Sequence, residues 1–163
     1  TIVNTTGPAG SLIRTAGVVN IKNSRIINNT VELSSTGAVG DSLFYVSKTL
    51  NIEQSVIADN KGPKNLIYSG SSGSIVMNYN NIQNNTFPSG FKTTAGTLDA
   101  EYNYWGSNDA PTDPIVTRYA VMDGEGNFLD DQGNALAKEI PQLTEEDESE
   151  SNVEYDSYSF YSQ

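Results

Sequence analysis

Apolar residues in the first two thirds of the chain recur in short alternating runs, Val19-x-Ile21, Leu50-x-Ile52, Ile75-x-Met77 and Leu98-x-Ala100. A two-residue period places successive side chains on opposite faces, which describes a strand and not a helix. Clusters of Gly, Ser, Asn and Pro at 35–41, 61–65, 70–74 and 86–90 interrupt these runs. They leave no helical stretch before residue 115.

The runs belong to an internal repeat. Residues 11–29 match residues 42–60 at a constant offset of 31, so that Val19 meets Leu50, Ile21 meets Ile52, Ile26 meets Ile57 and Asn29 meets Asn60. A third copy lies 25 residues further on, with Ile75, Met77, Ile82 and Asn85, and a fourth lies 23 beyond that, with Leu98, Ala100, Trp105 and Asn108. Ile2, Val3 and Asn4 resemble the end of a preceding copy, so the chain opens in mid-repeat. Short strands repeated at 23–31 residues, with length changes confined to loops, describe a coil that gains one turn per repeat. The expected fold is all-β: a right-handed parallel β-helix of about four turns with like residues stacked about 4.8 Å apart, followed by a small β-hairpin region and an acidic tail.

Stacking assigns columns. Ile26, Ile57, Ile82 and Trp105 form one expected core column, Ile21, Ile52, Met77 and Ala100 a second, and Ile13, Phe44, Ile67 and Phe91 a third. Asn29, Asn60, Asn85 and Asn108 fall at the bend after a strand, where a stacked amide can bond its neighbours and satisfy turn backbone; they are expected as a structural Asn column. Pro111 and Pro114 end the coil, because Pro cannot donate to a ladder. The expected organisation is a parallel β-helix over 1–114, a β-hairpin or capping segment over 115–140, and an acidic, Tyr-rich tail over 141–163, disordered or docking as a strand.

The segment from Leu98 to Thr112 contains Asn-Tyr-Trp-Gly-Ser-Asn-Asp-Ala-Pro at 103–111. With the Ile-x-x-Asn endings of the earlier turns, it resembles the adhesin-like surface proteins of methanogenic archaea, over about residues 1–114 and with Ala110 where that motif usually has Gly. The Ile-x-x-Asn repeats are also similar to those of bacterial polymorphic outer-membrane proteins. The archaeal resemblance implies a secreted or cell-surface location and a role in adhesion or the cell envelope, with no defined ligand.

Charge sharpens the boundary near 114–118. Residues 1–118 carry eight basic and eight acidic side chains, whereas the rest carries Lys138 against twelve acids and accounts for the whole net charge of −11. Without a basic patch the chain is not expected to bind nucleic acid, and without a long apolar run it is not expected to insert in a membrane. It has no His and no Cys, which removes the commonest general base, thiolate nucleophiles and the softer metal ligands. No charged n-region with an apolar run precedes the repeats, so the chain reads as a mature or excised piece.

An enzymatic reading has few residues to work with. Glycoside hydrolysis needs paired carboxylates, and Asp99 and Glu101, flanking Ala100, are expected to share the outer face of the last turn on a solvated surface. Asp123 and Asp130 each open an Asp-x-x-Gly-Asn pattern, but Phe128 stands where an EF-hand loop needs Gly, so no cofactor is expected and only weak calcium binding stays open. Tyr155, Tyr158, Phe160 and Tyr161 after the acid run form a candidate docking strand. Of the three Asn-x-Ser/Thr triplets, at Asn4, Asn28 and Asn84, Asn4 is expected to be the accessible glycosylation acceptor, the others lying beside the Asn column. The expected function is a non-enzymatic structural or adhesive module of an extracellular, cell-surface protein. Its expected partners are itself, head to tail, or upstream turns of the same protein, with a surface glycan or protein as further ligand. A carbohydrate-active or carbohydrate-binding module is the alternative.

Overall fold

The computed structural model describes residues 1–3, 5–7, 11–33, 41–70, 72–93, 96–113 and 116–147. Asn4, residues 34–40 and the whole candidate docking strand, Tyr155 to Tyr161, lie outside the described residues.

In chain order the strands are β1 (Ile2–Val3), β2 (Thr6–Gly7), β3 (Ser11–Thr15), β4 (Val18–Lys22), β5 (Arg25–Ile27), β6 (Thr30–Val31), β7 (Ser42–Val46) and β8 (Thr49–Glu53). They continue with β9 (Val56–Ala58), β10 (Asn65–Ser69), β11 (Ser74–Asn78), β12 (Asn81–Gln83), β13 (Gly90–Thr93), β14 (Thr97–Asp99), β15 (Ala120–Met122) and β16 (Phe128–Asp130). Three four-stranded sheets result, β1-β5-β9-β12, β3-β7-β10-β13 and β4-β8-β11-β14. All their pairings are parallel. The described residues are nearly all β, apart from a single helical turn at 145–147, and each of the first three full repeats places one strand in each sheet.

Register puts like residues on like. Ile2, Ile26, Ile57 and Ile82 pair in succession, as do Ile13, Phe44, Ile67 and Phe91 and Val19, Leu50, Ile75 and Leu98. Ile21, Ile52 and Met77 form a further row. These rows converge on one core, with Trp105 packed against it and meeting Phe91 edge-on at 5.5 Å. Each fully buried aliphatic side chain there contributes about 1.5–3 kcal/mol.

What bends the strands is a pair of corners flanking the three-residue strands β5, β9 and β12. At one, Asn23, Gln54, Tyr79 and Tyr102 take positive φ of 50–59°; at the other, Asn28, Asp59 and Asn84 take 53–57°. Short polar side chains tolerate this region best. Tyr79 and Tyr102 occupy it while stacking on each other at 5.4 Å.

The residue after each left-handed position ties the rungs together. Asn60 Oδ1 accepts from the backbone N–H and the Nδ2 of Asn29, both at 2.9 Å. Its own Nδ2 donates to Ile26 O at 2.8 Å and to Asn85 Oδ1 at 2.9 Å. Both protons and both lone pairs are therefore used. Asn29 continues the ladder upward, donating to Ile2 O and accepting from Thr5 N–H. Asn85 ends it downward by donating to Ile57 O. The other corner has its own ladder, unforeseen in the sequence: Ser24 N–H donates to Ser55 Oγ, Ser55 N–H to Asn80 Oδ1, and Asn80 N–H and Nδ2 to Asn103 Oδ1.

Beyond Trp105 the chain closes the coil. Tyr119 bridges Asn103 in parallel, Ala120 N–H donates to Asn103 O, and β15 turns back antiparallel onto β16.

Removing Asn60 strands buried donors on Asn29 and an acceptor on Ile26, each costing about 1–3 kcal/mol. Asn60→Ala is expected to lower stability by at least ~3 kcal/mol in urea titration, while Asn51→Ala, in the solvent-facing Asn20–Asn51 pair, stays within ~0.5 kcal/mol. Equal midpoints would remove the ladder from the account. A Cβ on Gly96 would stand 1.8 Å from the carbonyl oxygen of Gly73, so Gly96→Ala is expected to cost about 1–3 kcal/mol by overpacking.

Candidate functional site

The residues selected from sequence fall into separate places. Ile26, Ile57 and Ile82 lie in the core, with Trp105 packed beside them. Asn29, Asn60 and Asn85 form the ladder described above. Asn108 does not join it: the chain has left the coil at Gly106, whose φ is 86°. Asn108 instead accepts from Met122 N–H at 2.7 Å and donates to Met122 O at 2.8 Å, tying the exit loop to the hairpin.

The carboxylates are also distributed. Asp99 is exposed, but Glu101 accepts from Thr117 Oγ1 and from Arg118 N–H and so anchors the closing segment. Asp123 Oδ1 accepts from the N–H groups of Glu125 and Asn127, and Asp130 Oδ1 from those of Gln132 and Asn134. Donation from the Asn127 side chain and backbone holds the Asp123 carboxyl below its ordinary value, and the Asn134 N–H does the same for Asp130. The two Asp-x-x-Gly-Asn segments are thus self-bonded turns at either end of β16. Among the described residues no three His, Cys, Asp or Glu side chains are grouped to hold a metal ion. No described helix is long and apolar enough to cross a membrane.

A recess of about 400 Å³ lies on the outer face of the β4-β8-β11-β14 sheet. Its floor is Asn20, Asn51 and Val76, with Asn51 Nδ2 donating to Asn20 Oδ1 at 2.7 Å. Lys22, Glu53, Asn78, Tyr79 and Lys138 are further lining residues. Period-two alternation produces this face, since Ile21, Ile52 and Met77 point inward from the same strands. Glu53 is held between two ammonium groups, Lys138 and Lys22, the latter at 2.9 Å. The Lys138 hydrogen bond, then that of Lys22, keeps its carboxyl below the ordinary value. A carboxylate so clamped is a poor proton donor, and the lining holds no second acid to pair with it. The recess has the chemistry of binding: amides, a fixed ion cluster and an aromatic rim.

One wall of the recess comes from a segment whose placement was not legible as a site. Residues 138–147 run as a strap along the outer face of the β1-β5-β9-β12 sheet. Gln54 Nε2 donates to Glu139 O, Asn81 Nδ2 to Pro141 O and Arg25 Nη2 to Gln142 O. Leu143 packs over Ile27, Val56 and Ala58, an outward apolar row. The signal for it was present: β5 and β9 place two or three apolar residues in succession, the mark of strands covered on both faces. Asp147, 5% exposed, takes the Arg25 guanidinium with both oxygens. It also takes the N–H and hydroxyl of Thr144 at 2.8 Å. Burial works to raise the Asp147 carboxyl, but Arg25 and Thr144 outweigh it and leave it below its ordinary value.

Comparison with protein-family models, with curated proteins and with solved structures finds no match to this chain.

Asp147 and Glu53 both have depressed values in the folded chain, so their contribution is complete above the unfolded carboxylate range near ~4 and is lost as pH falls through the folded values. The strap is therefore expected to detach in acid before the coil melts. Hydrogen exchange at the Thr144 amide, corrected for intrinsic rate, should accelerate between pH 6 and pH 3, and Arg25→Gln should reproduce that acceleration at pH 6. Unchanged protection in both cases would show that the ion pairs do not hold the strap.

Proposed function

We propose that this chain is a right-handed parallel β-helix module of an extracellular, cell-surface protein, with a structural or adhesive role and no enzymatic one. The right hand follows from the strong preference of parallel crossovers for it. The resemblance to archaeal adhesin-like proteins supports the location, and a scaffold built from stacked rungs suits presentation of loops and faces.

The observation that carries the reading is the set of open edges that the stacked sheets present. At the C-terminal end Tyr119 and Ala120 cover Asn103 of the last rung, while β13 and β14 remain sheet edges. At the other end β3 and β4 are edge strands with no further strand paired to them among the described residues, around a recess of about 360 Å³ whose lining includes Ile2, Ile13, Val19, Ile21 and Ile26 together with Lys22 and Arg25. Val18 beside it is 65% exposed. Unpaired parallel edges around exposed apolar columns template a further strand layer. The open end therefore receives another coil of the same kind, from upstream turns or from a second copy. With edge strands at both ends, two copies of this chain can join head to tail, β13 and β14 of one meeting β3 and β4 of the other.

A carbohydrate-binding role is the second reading, and the Asn20–Asn51 floor beside Tyr79 favours it over a carbohydrate-active one. It requires no proton transfer.

Light scattering over a concentration series is expected to show self-association that Val19→Lys abolishes with little change in melting temperature. A chain that is monomeric at every concentration would overturn joining through copies. Protease shaving of intact source cells should release 138–147 peptides, and their protection until lysis would overturn the surface location. For the second reading, titration with a polysaccharide panel should give heats that Asn51→Ala removes.

A further inference from the structure

The triplet Asn84-Asn85-Thr86 has the sequence of an acceptor for N-linked oligosaccharide. Sequence reasoning set it aside because it adjoins the Asn column. The structure separates its two asparagines. Asn85 is turned inward, and its Nδ2 donates to Ile57 O at 2.7 Å and Gln83 O at 3.1 Å. Asn84, in the left-handed region at φ 57°, is exposed, as is Thr86. One corner thus consumes the second amide and presents the first. Asn28 occupies the same corner two rungs away, about 10 Å at ~4.8 Å per rung, but is only half-buried rather than exposed. The rung between them carries Asp59, which cannot be an acceptor.

A second observation concerns what lies beside Asn84. It stands in the lining of a recess of about 200 Å³ formed with Leu66, Ile82, Phe87, Phe91 and Trp105. The three aromatic residues are only partly buried against the core, so the recess exposes aromatic surface. At ~30 Å³ per water it holds the equivalent of about seven waters, the scale of one sugar residue. A sugar ring has a C–H face that packs on an aromatic ring and hydroxyls that suit the neighbouring Gln83 side chain.

We propose that Asn84 carries an N-linked oligosaccharide whose first sugar packs into the recess bounded by Phe87, Phe91 and Trp105. The donor is a lipid-phosphate-linked oligosaccharide. The bond between Asn84 Nδ2 and the anomeric carbon forms as the bond from that carbon to the phosphate oxygen breaks. The phosphate leaves with the electron pair, and the amide proton passes to a base of the transferase. Transfer takes place on the extended chain, and the folded coil then leaves the modified nitrogen outside and the first sugar against the aromatic surface. The inference rests on the extracellular reading only for access to a transferase.

The test secretes the chain from a glycosylating host, fused to a carrier with its own acceptor triplet as control, and maps occupancy by peptide mass spectrometry. Asn84 is expected to be modified, and Thr86→Ala to abolish this. Protein trimmed enzymatically to the first sugar should melt about 2–4 °C above Thr86→Ala, a shift equivalent to ~1 kcal/mol. Phe91→Leu, which keeps an apolar side chain in place, should reduce that difference without reducing occupancy. An unmodified Asn84 beside an occupied carrier site would overturn the acceptor. Equal melting of trimmed and unmodified protein would overturn the packing of the sugar. Either failure leaves the surface location standing, because shaving of source cells tests that separately.

Discussion

A strand of three residues between two sharp corners leaves backbone groups at each corner that no sheet ladder can reach, and buried groups of that kind must be bonded. Here the corner residue's side chain does the work. An amide has two donors and two acceptor sites, so one Asn can accept from the rung above while donating to the rungs on both sides, as Asn60 does. A hydroxyl can take the place only in part: Ser24 and Ser55 fill the other corner in the first two rungs, and their hydroxyls bond back to Lys22 O and Glu53 O. Asn80 and Asn103 take over as the coil tightens from 31 to 25 and then 23 residues per repeat.

That requirement also determines where the coil ends. A further rung would need an amide after Trp105 at the position below Asn85, and Gly106 sends the chain away before Asn108 can supply it. The groups left at the last corner are met from elsewhere: Tyr102 N–H donates to Arg118 O, and Arg118 N–H donates to Glu101. Arg118 is then fixed by Asp131 and lies 5.2 Å over the Tyr102 ring. The stack of Tyr102 on Tyr79 carries the same closure to the rung above.

The repeat was legible because stacking forces like onto like, so that an offset of 31 in sequence became the register of Ile26 on Ile57 and of Asn29 on Asn60. The second corner was not legible, because Ser24 and Ser55 give way to Asn80 and Asn103 there and no single residue type marks the column. Asn108 misled for a related reason: it keeps the Ile-x-x-Asn spacing after the backbone has ceased to follow it. The open recesses depend on which outer faces are covered, and that is decided by residues 138–147, more than 100 positions from the β5 strand they lie on. Only the successive apolar residues of β5 (Ile26, Ile27) and β9 (Val56, Ile57, Ala58) hinted at a cover.

The charge separation along the chain acquires a physical meaning in that cover. An acidic segment tends to stay solvated and move away from other acids, so its docking on a neutral coil needs specific attachment. The attachment is reciprocal. The coil supplies Arg25 to Asp147 of the strap, and the strap supplies Lys138, the sole cation after Arg118, to Glu53 of the coil. Reversing the strap would bring Lys138 toward Arg25 and Asp147 toward Glu53, so like charges would meet at both points, and sliding it would break both pairs. Two crossed ion pairs on either side of Leu143 therefore fix direction and register, while apolar contact with Ile27, Val56 and Ala58 supplies adhesion that does not itself select a register. The same two carboxylates occupy Arg25 and Lys22, the two basic side chains that line the recess beside Ile2, Val19 and Ile21, so the charge at that mouth is already matched.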